Sequence, residues 1–169
     1  DNLALVLAIG PILQNNGIDV LYTRTEDVYE SPYQRALKAN AAGVDFFVSI
    51  HRNSFPRENA VSGVESLVFN KSGIKYEMAK EINEQLETIG FVNLGVQERP
   101  NLVVLRRTNM PAVLVEVGFI NSDIDNQLFD DIGGENNTFV NNRVVDPSNG
   151  GSSGGKGDGS GGSNSGNGS

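Results

Sequence analysis

A single histidine occurs in the 169 residues of the chain. It is His51, within "FFVSIHRNS" (46–54), where a run of apolar and β-branched residues gives way to Ser49, His51 and Asn53. Alternate residues of an extended strand share a face, so these three side chains form one row of hydrogen-bonding groups at a strand end. A lone imidazole there is either a hydrogen-bonded structural group or a ligand and proton carrier. The second unusual residue is Glu116, a carboxylate inside the apolar stretch "AVLVEVGF" (112–119). A buried, unpaired carboxylate is costly and its pKa rises. Such a residue is paired, metal-linked or catalytic, unless the strand ends early and water solvates it. With a raised pKa it suits general acid–base work near neutrality. An imidazole and a carboxylate ending two strands of one sheet can converge on a metal-bound water, the imidazole ligating zinc and the carboxylate taking the proton.

The elements that must position this pair follow from periodicity and punctuation. Leu3, Val6, Leu7, Ile9 and Leu13 recur at helical spacing; Pro11 sits awkwardly among them, and Gly17 suits a helix terminus. "DVLYTR" (19–24) reads as a short strand. "SPYQRALKANAAG" (31–43) carries a serine cap, a proline at the first helical position and a terminating glycine. "DFFVSIH" (45–51), "GVESLVFN" (63–70), "NLVVLRR" (101–107) and "PAVLVEVGF" (111–119) read as strands, "GIKYEMAKEINEQLETIG" (73–90) as a long amphipathic helix, and "SDIDNQLFDD" (122–131) as a short capped one. Strands alternating with helices imply an α/β fold, with a mainly parallel sheet covered by helices on both faces. In such sheets sites gather at the carboxyl ends of strands, where His51 falls.

Composition narrows the function classes. The length suits one domain. The net charge of −8 argues against nucleic acid, because neutralising phosphates needs clustered Lys and Arg. No apolar run reaches the roughly 18 residues of a membrane span. The chain has no cysteine, which excludes disulfides and cysteine-held zinc. It opens at Asp1-Asn2-Leu3 already in a helical pattern and is read as a fragment or a rearranged chain, with targeting information missing rather than negative. The expected organisation is one domain over 1–147 and a Gly/Ser/Asn-rich flexible segment over 148–169, whose composition offers too little apolar surface to offset ordering entropy.

Taken together, "LYTRTED", "QRALKANAAGVDFFVSIHRNS", "SGVESLVF" and "LVVLRRTNMPAVLVEVGFINS" resemble the zinc-dependent N-acetylmuramoyl-L-alanine amidases that cut bacterial peptidoglycan. The resemblance runs in order from about residue 1 to 131. It implies a single domain with a twisted, mainly parallel six-stranded sheet flanked by helices, and a zinc held by two histidines and a glutamate. It makes His51 the second zinc histidine and Glu116 the catalytic glutamate that activates the metal-bound water and helps protonate the leaving amine. Asn53 and Arg106 become substrate-binding residues. Arg24, Arg35 and Asn40 match recurrent positions that are structural or substrate-facing. The implied reaction is hydrolysis of the amide between the lactyl group of N-acetylmuramic acid and L-alanine. The implied partner is peptidoglycan, met by a secreted bacterial autolysin or endolysin in the cell wall or periplasm, as a monomer without nucleic acid or a membrane span.

The chain also departs from that pattern. The family begins with a strand running into "DPGHGG", which bears the first zinc histidine, followed by a glutamate ligand; here "DNLALVLA" opens the chain. "RVVDPSNGG" (143–151) resembles that strand and turn, with Asn149 at the histidine position. It reads either as a displaced first strand in a permuted chain or as a coincidental turn leading into a linker. Asn149 is a poor zinc ligand, so zinc binding and hydrolysis are expected to be impaired. The alternative is a catalytically silent peptidoglycan-binding domain of the same fold.

Overall fold

The computed structural model describes residues 2–133. The boundary expected at 147/148, the segment 143–151 with Asn149, and the Gly-rich 148–169 lie outside the described residues. In chain order the elements are α1 (Asn2–Asn15), α2 (Pro32–Ala42), β1 (Phe47–Asn53), β2 (Val64–Val68), α3 (Ile74–Glu87), β3 (Asn93–Glu98), α4 (Val103–Arg107), β4 (Ala112–Phe119) and α5 (Asp123–Gly133).

Local chemistry explains the helices that punctuation marked. At α2 the Ser31 hydroxyl accepts from the Gln34 N–H at 3.2 Å, while the Gln34 side chain returns a bond to the Ser31 N–H at 2.9 Å. This reciprocal box satisfies two amide donors the helix would otherwise leave bare. Pro32 enters without needing its missing N–H, and Gly43 closes the helix at φ 62°. The helix α1 runs through Pro11 without ending.

The described sheet has four strands in the order β1-β4-β2-β3. The pairs β1/β4 and β2/β3 are parallel, whereas β2 and β4 are antiparallel. This corrects the six-stranded expectation: the described residues form a mixed four-stranded sheet. Two expected strands account for much of the difference. Residues 19–24 join no ladder among the described residues; Tyr22 rests its ring against Gly10 of α1, where a Cβ would collide with it, and the Thr23 carbonyl accepts from Lys38. "NLVVLRR" contains the helix α4 instead. Val104 and Leu105 are both buried, and in a strand two neighbours would point to opposite faces. Conversely, β3 was not foreseen, because Asn93 and Gly95 blur its alternation; Gly95 (φ 84°) lies where the β2/β3 register shifts.

Helices cover both faces, as expected. On one face Val113, Val115 and Val117 of β4 join Leu5 of α1, Ala79 of α3 and Phe129 of α5. On the other, Phe47, Leu67, Ala112 and Leu114 pack with Ala39 of α2 and with Val104 and Leu105 of α4. The outer edge of β1 has no neighbouring strand among the described residues, and Val48 on that strand is 47% exposed.

Candidate functional site

The second face continues past its apolar core into a polar row. Phe47, Ser49 and His51 alternate along β1, Ala112, Leu114 and Glu116 along β4, and Leu67 and Glu65 along β2. In the ladder His51 pairs with Glu116, and Glu116 pairs with Glu65 on its other side. Strand neighbours lie roughly 5 Å apart, so imidazole and two carboxyl groups stand side by side across three strands. His51 and Glu116 therefore share one face, and the early-ending strand is excluded for Glu116, since β4 runs on to Phe119.

Glu116 is partly buried. Its Oε2 is buried with no hydrogen-bond partner among the described residues. Burial first, and then the Glu65 charge, push its carboxyl from 4.5 to about 7. Glu65 itself accepts from the Asn53 amide at 2.9 Å. Sequence reading missed Glu65. The signal was present in "GVESLVF", a strand that carries one carboxylate on the side opposite its valines. Burial and the positive charge of Arg35 lower the His51 pKa, so the ring is neutral at physiological pH. Its Nε2 lies 3.1 Å from the Ser49 hydroxyl.

Past His51 the β1/β4 register shifts, so that Asn53 pairs with Phe119. Gly118, at φ 75°, lies on β4 within that irregularity. A Cβ there would approach Asp125 to 2.8 Å. The buried Asp125 carboxylate accepts from the N–H groups of Gly63 and Phe119, both within 3.1 Å. These bonds fix the strand ends beside the row, and bulges of this kind re-aim side chains next to sites.

The remaining expected residues separate. Asn53 joins the row through Glu65. Arg106 does not: on the exposed side of α4 it lines an open groove with Phe69, Lys75 and Ala112. That groove is at the opposite end of the strands, because Val68 pairs with Val113 there. Asn40 clamps α2 to the chain before β4, donating to the Arg107 carbonyl and accepting from the Asn109 N–H, both at 2.8 Å. Arg24 pairs with Asp27 at 3.2 Å.

Among the described residues the row does not fit a zinc site of two histidines and one glutamate. His51 is the sole histidine of the whole sequence, and no group of three His, Cys, Asp or Glu side chains suited to a metal exists among the described residues. The nearby Glu65 is already engaged by Asn53.

A neutral imidazole and a carboxyl of raised pKa thus stand on adjacent strands of a helix-covered α/β sheet. The family model described as N-acetylmuramoyl-L-alanine amidase matches residues 2–138, and the chain belongs to that family. It is 35% identical over 127 residues to the sporulation-specific N-acetylmuramoyl-L-alanine amidase of Bacillus subtilis (strain 168), covering 73% of this chain and 48% of that protein. It is 34% identical to the amidase CwlM of Bacillus licheniformis over the same shares. The crystal structure of an N-acetylmuramoyl-L-alanine amidase from Clostridium difficile 630 superposes with TM-score 0.69 at 32% identity, covering 74% of this chain and 68% of that one. The chain thus spans about half the length of the two curated relatives named.

Proposed function

We propose that this domain acts on peptidoglycan at the amide between N-acetylmuramic acid and L-alanine, with Glu116 as the proton-transferring residue. The observation that carries the proposal is the register pairing of His51 with Glu116 on one face of the sheet, beside Glu65. A carboxyl with pKa about 7 is present in both forms at neutral pH. It can accept a proton from the attacking water and return it to the departing amine as the carbon–nitrogen bond breaks. Asn53 holds Glu65 in place, and Glu65 in turn keeps the Glu116 proton from leaving too early.

Zinc belongs to this proposal only with donors beyond the described residues; His51 would supply one nitrogen. Hydrolysis by this chain alone is accordingly expected to be weak. The lack of a donor trio among the described residues favours a second reading, a catalytically silent peptidoglycan-binding domain. The site of action in either case is the cell wall or periplasm, by a monomer; among the described residues no helix is long and apolar enough to cross a membrane.

The test combines sedimentation with purified cell walls, release of L-alanine-bearing peptides, and metal analysis. Binding with little or no release supports impaired hydrolysis or the silent domain, and loss of any residual release in Glu116→Gln assigns the proton transfer. Stoichiometric zinc with rapid release would refute impairment. Neither binding nor release would overturn the peptidoglycan assignment.

A further inference from the structure

We propose that Arg35 is a specificity residue beside the polar row of His51 and Glu116, gripping a carboxylate on the peptide part of the substrate. This inference rests on the peptidoglycan reading above and adds to it the group that is recognised.

The placement follows from the fold. Helix α2 ends at Ala42, and after a short connection β1 returns from Phe47 in the opposite direction. Ala39 is buried against the Phe47 cluster. Arg35 lies one turn earlier on the same helix face, since residues four apart are stacked. One turn of helix advances about 5.4 Å and two strand residues about 6.6 Å, so Arg35 lies toward the His51 end of β1. The effect of its charge on His51 agrees with this placement.

Its hydrogen bonding sets Arg35 apart from nearby cations. Arg24 is paired with Asp27, and Lys38 is paired with Glu30. Arg35 donates through Nε to the Glu30 carbonyl at 3.1 Å, which fixes the guanidinium plane. Among the described residues its two terminal nitrogens meet no acceptor. The side chain is half-buried, so its donors are partly desolvated yet reachable. A planar fork held by one nitrogen, with two amino groups unspent, matches a carboxylate bidentately. In a chain of net charge −8 an anionic ligand would otherwise be repelled. Close enough to His51 to act on it by charge, this fork gives the ligand a local positive site.

The experiment titrates the protein with N-acetylmuramoyl-L-alanyl-D-glutamic acid and with its uncharged α,γ-dicarboxamide, by calorimetry. The unsubstituted protein is expected to prefer the acid by about tenfold, an energy of ~1.4 kcal/mol. In Arg35→Gln that preference is expected to fall to about one while affinity for the amide changes less than about twofold; Arg35→Lys keeps part of it. A merely structural role would lower the melting temperature without altering the acid-to-amide ratio. If Arg35→Gln does not fold, the unsubstituted protein still decides: added salt must weaken binding of the acid and spare the amide. Equal affinity for the two ligands, or a preference that survives in Arg35→Gln, overturns the role of Arg35. Failure of both ligands to bind overturns the peptidoglycan reading and this inference with it.

Discussion

Burial and the adjacent Glu65 carboxylate hold the Glu116 proton up to about pH 7, and that has a cost for stability. Between pH 4.5 and 7 the unfolded chain has released a proton that the folded chain keeps, so stability falls as pH rises through this window, and the loss is complete above it. His51 acts in the other direction: with its pKa lowered, the unfolded chain gains a proton below about pH 6.5 that the folded chain refuses, so stability falls on acidification. Glu116→Gln should therefore melt higher than the parent at pH 8, by roughly 1–2 kcal/mol after allowance for solvent screening, and match it at pH 5. Identical melting shifts at both pH values would show that the carboxyl is not strained by its site. Asp125 is the structural counterpart. Its carboxylate satisfies the amides of Gly63 and Phe119, so Asp125→Ala should cost about 3 kcal/mol in denaturant unfolding. His51 and Glu116 stood out in the sequence because each was a polar residue in an apolar run. Glu65 did not, since its meaning depends on a register that pairs it with Glu116 across an antiparallel junction.

Elements were legible where their ends carry chemistry. Ser31, Pro32 and Gly43 marked α2 to within a residue, and the capping box is the reason. Ser31→Ala should remove about 1 kcal/mol, measured by thermal melting, with the lowest amide-exchange protection in the first turn of α2. The element misread as a strand, 101–107, is rich in valine and leucine, and its five-residue helix α4 is held by packing against Leu67 and Leu114 rather than by propensity. Tertiary burial overrides a weak local preference in so short a segment. The stretch 19–24 has strand composition, yet a strand exists only with a ladder partner, which no single segment can announce.

For the whole molecule, helices on both faces of a sheet could be inferred from the alternation of patterns. The antiparallel β2/β4 junction could not, because strand direction depends on how connections cross the sheet. The junction matters here: it places the amino end of β2, with Glu65, beside the carboxyl ends of β1 and β4, with His51 and Glu116.

Among the described residues the outer flank of β1 has no partner strand, and a flank left open in this way is a liability in handling as well as in folding. Its amide and carbonyl groups form a half-ladder that any extended chain can complete, and Val48 adds adhesive surface. Concentrated solutions should self-associate through that flank, and Val48→Lys should delay the onset in sedimentation velocity without moving the melting temperature. Unchanged association in Val48→Lys would place the sticky surface elsewhere.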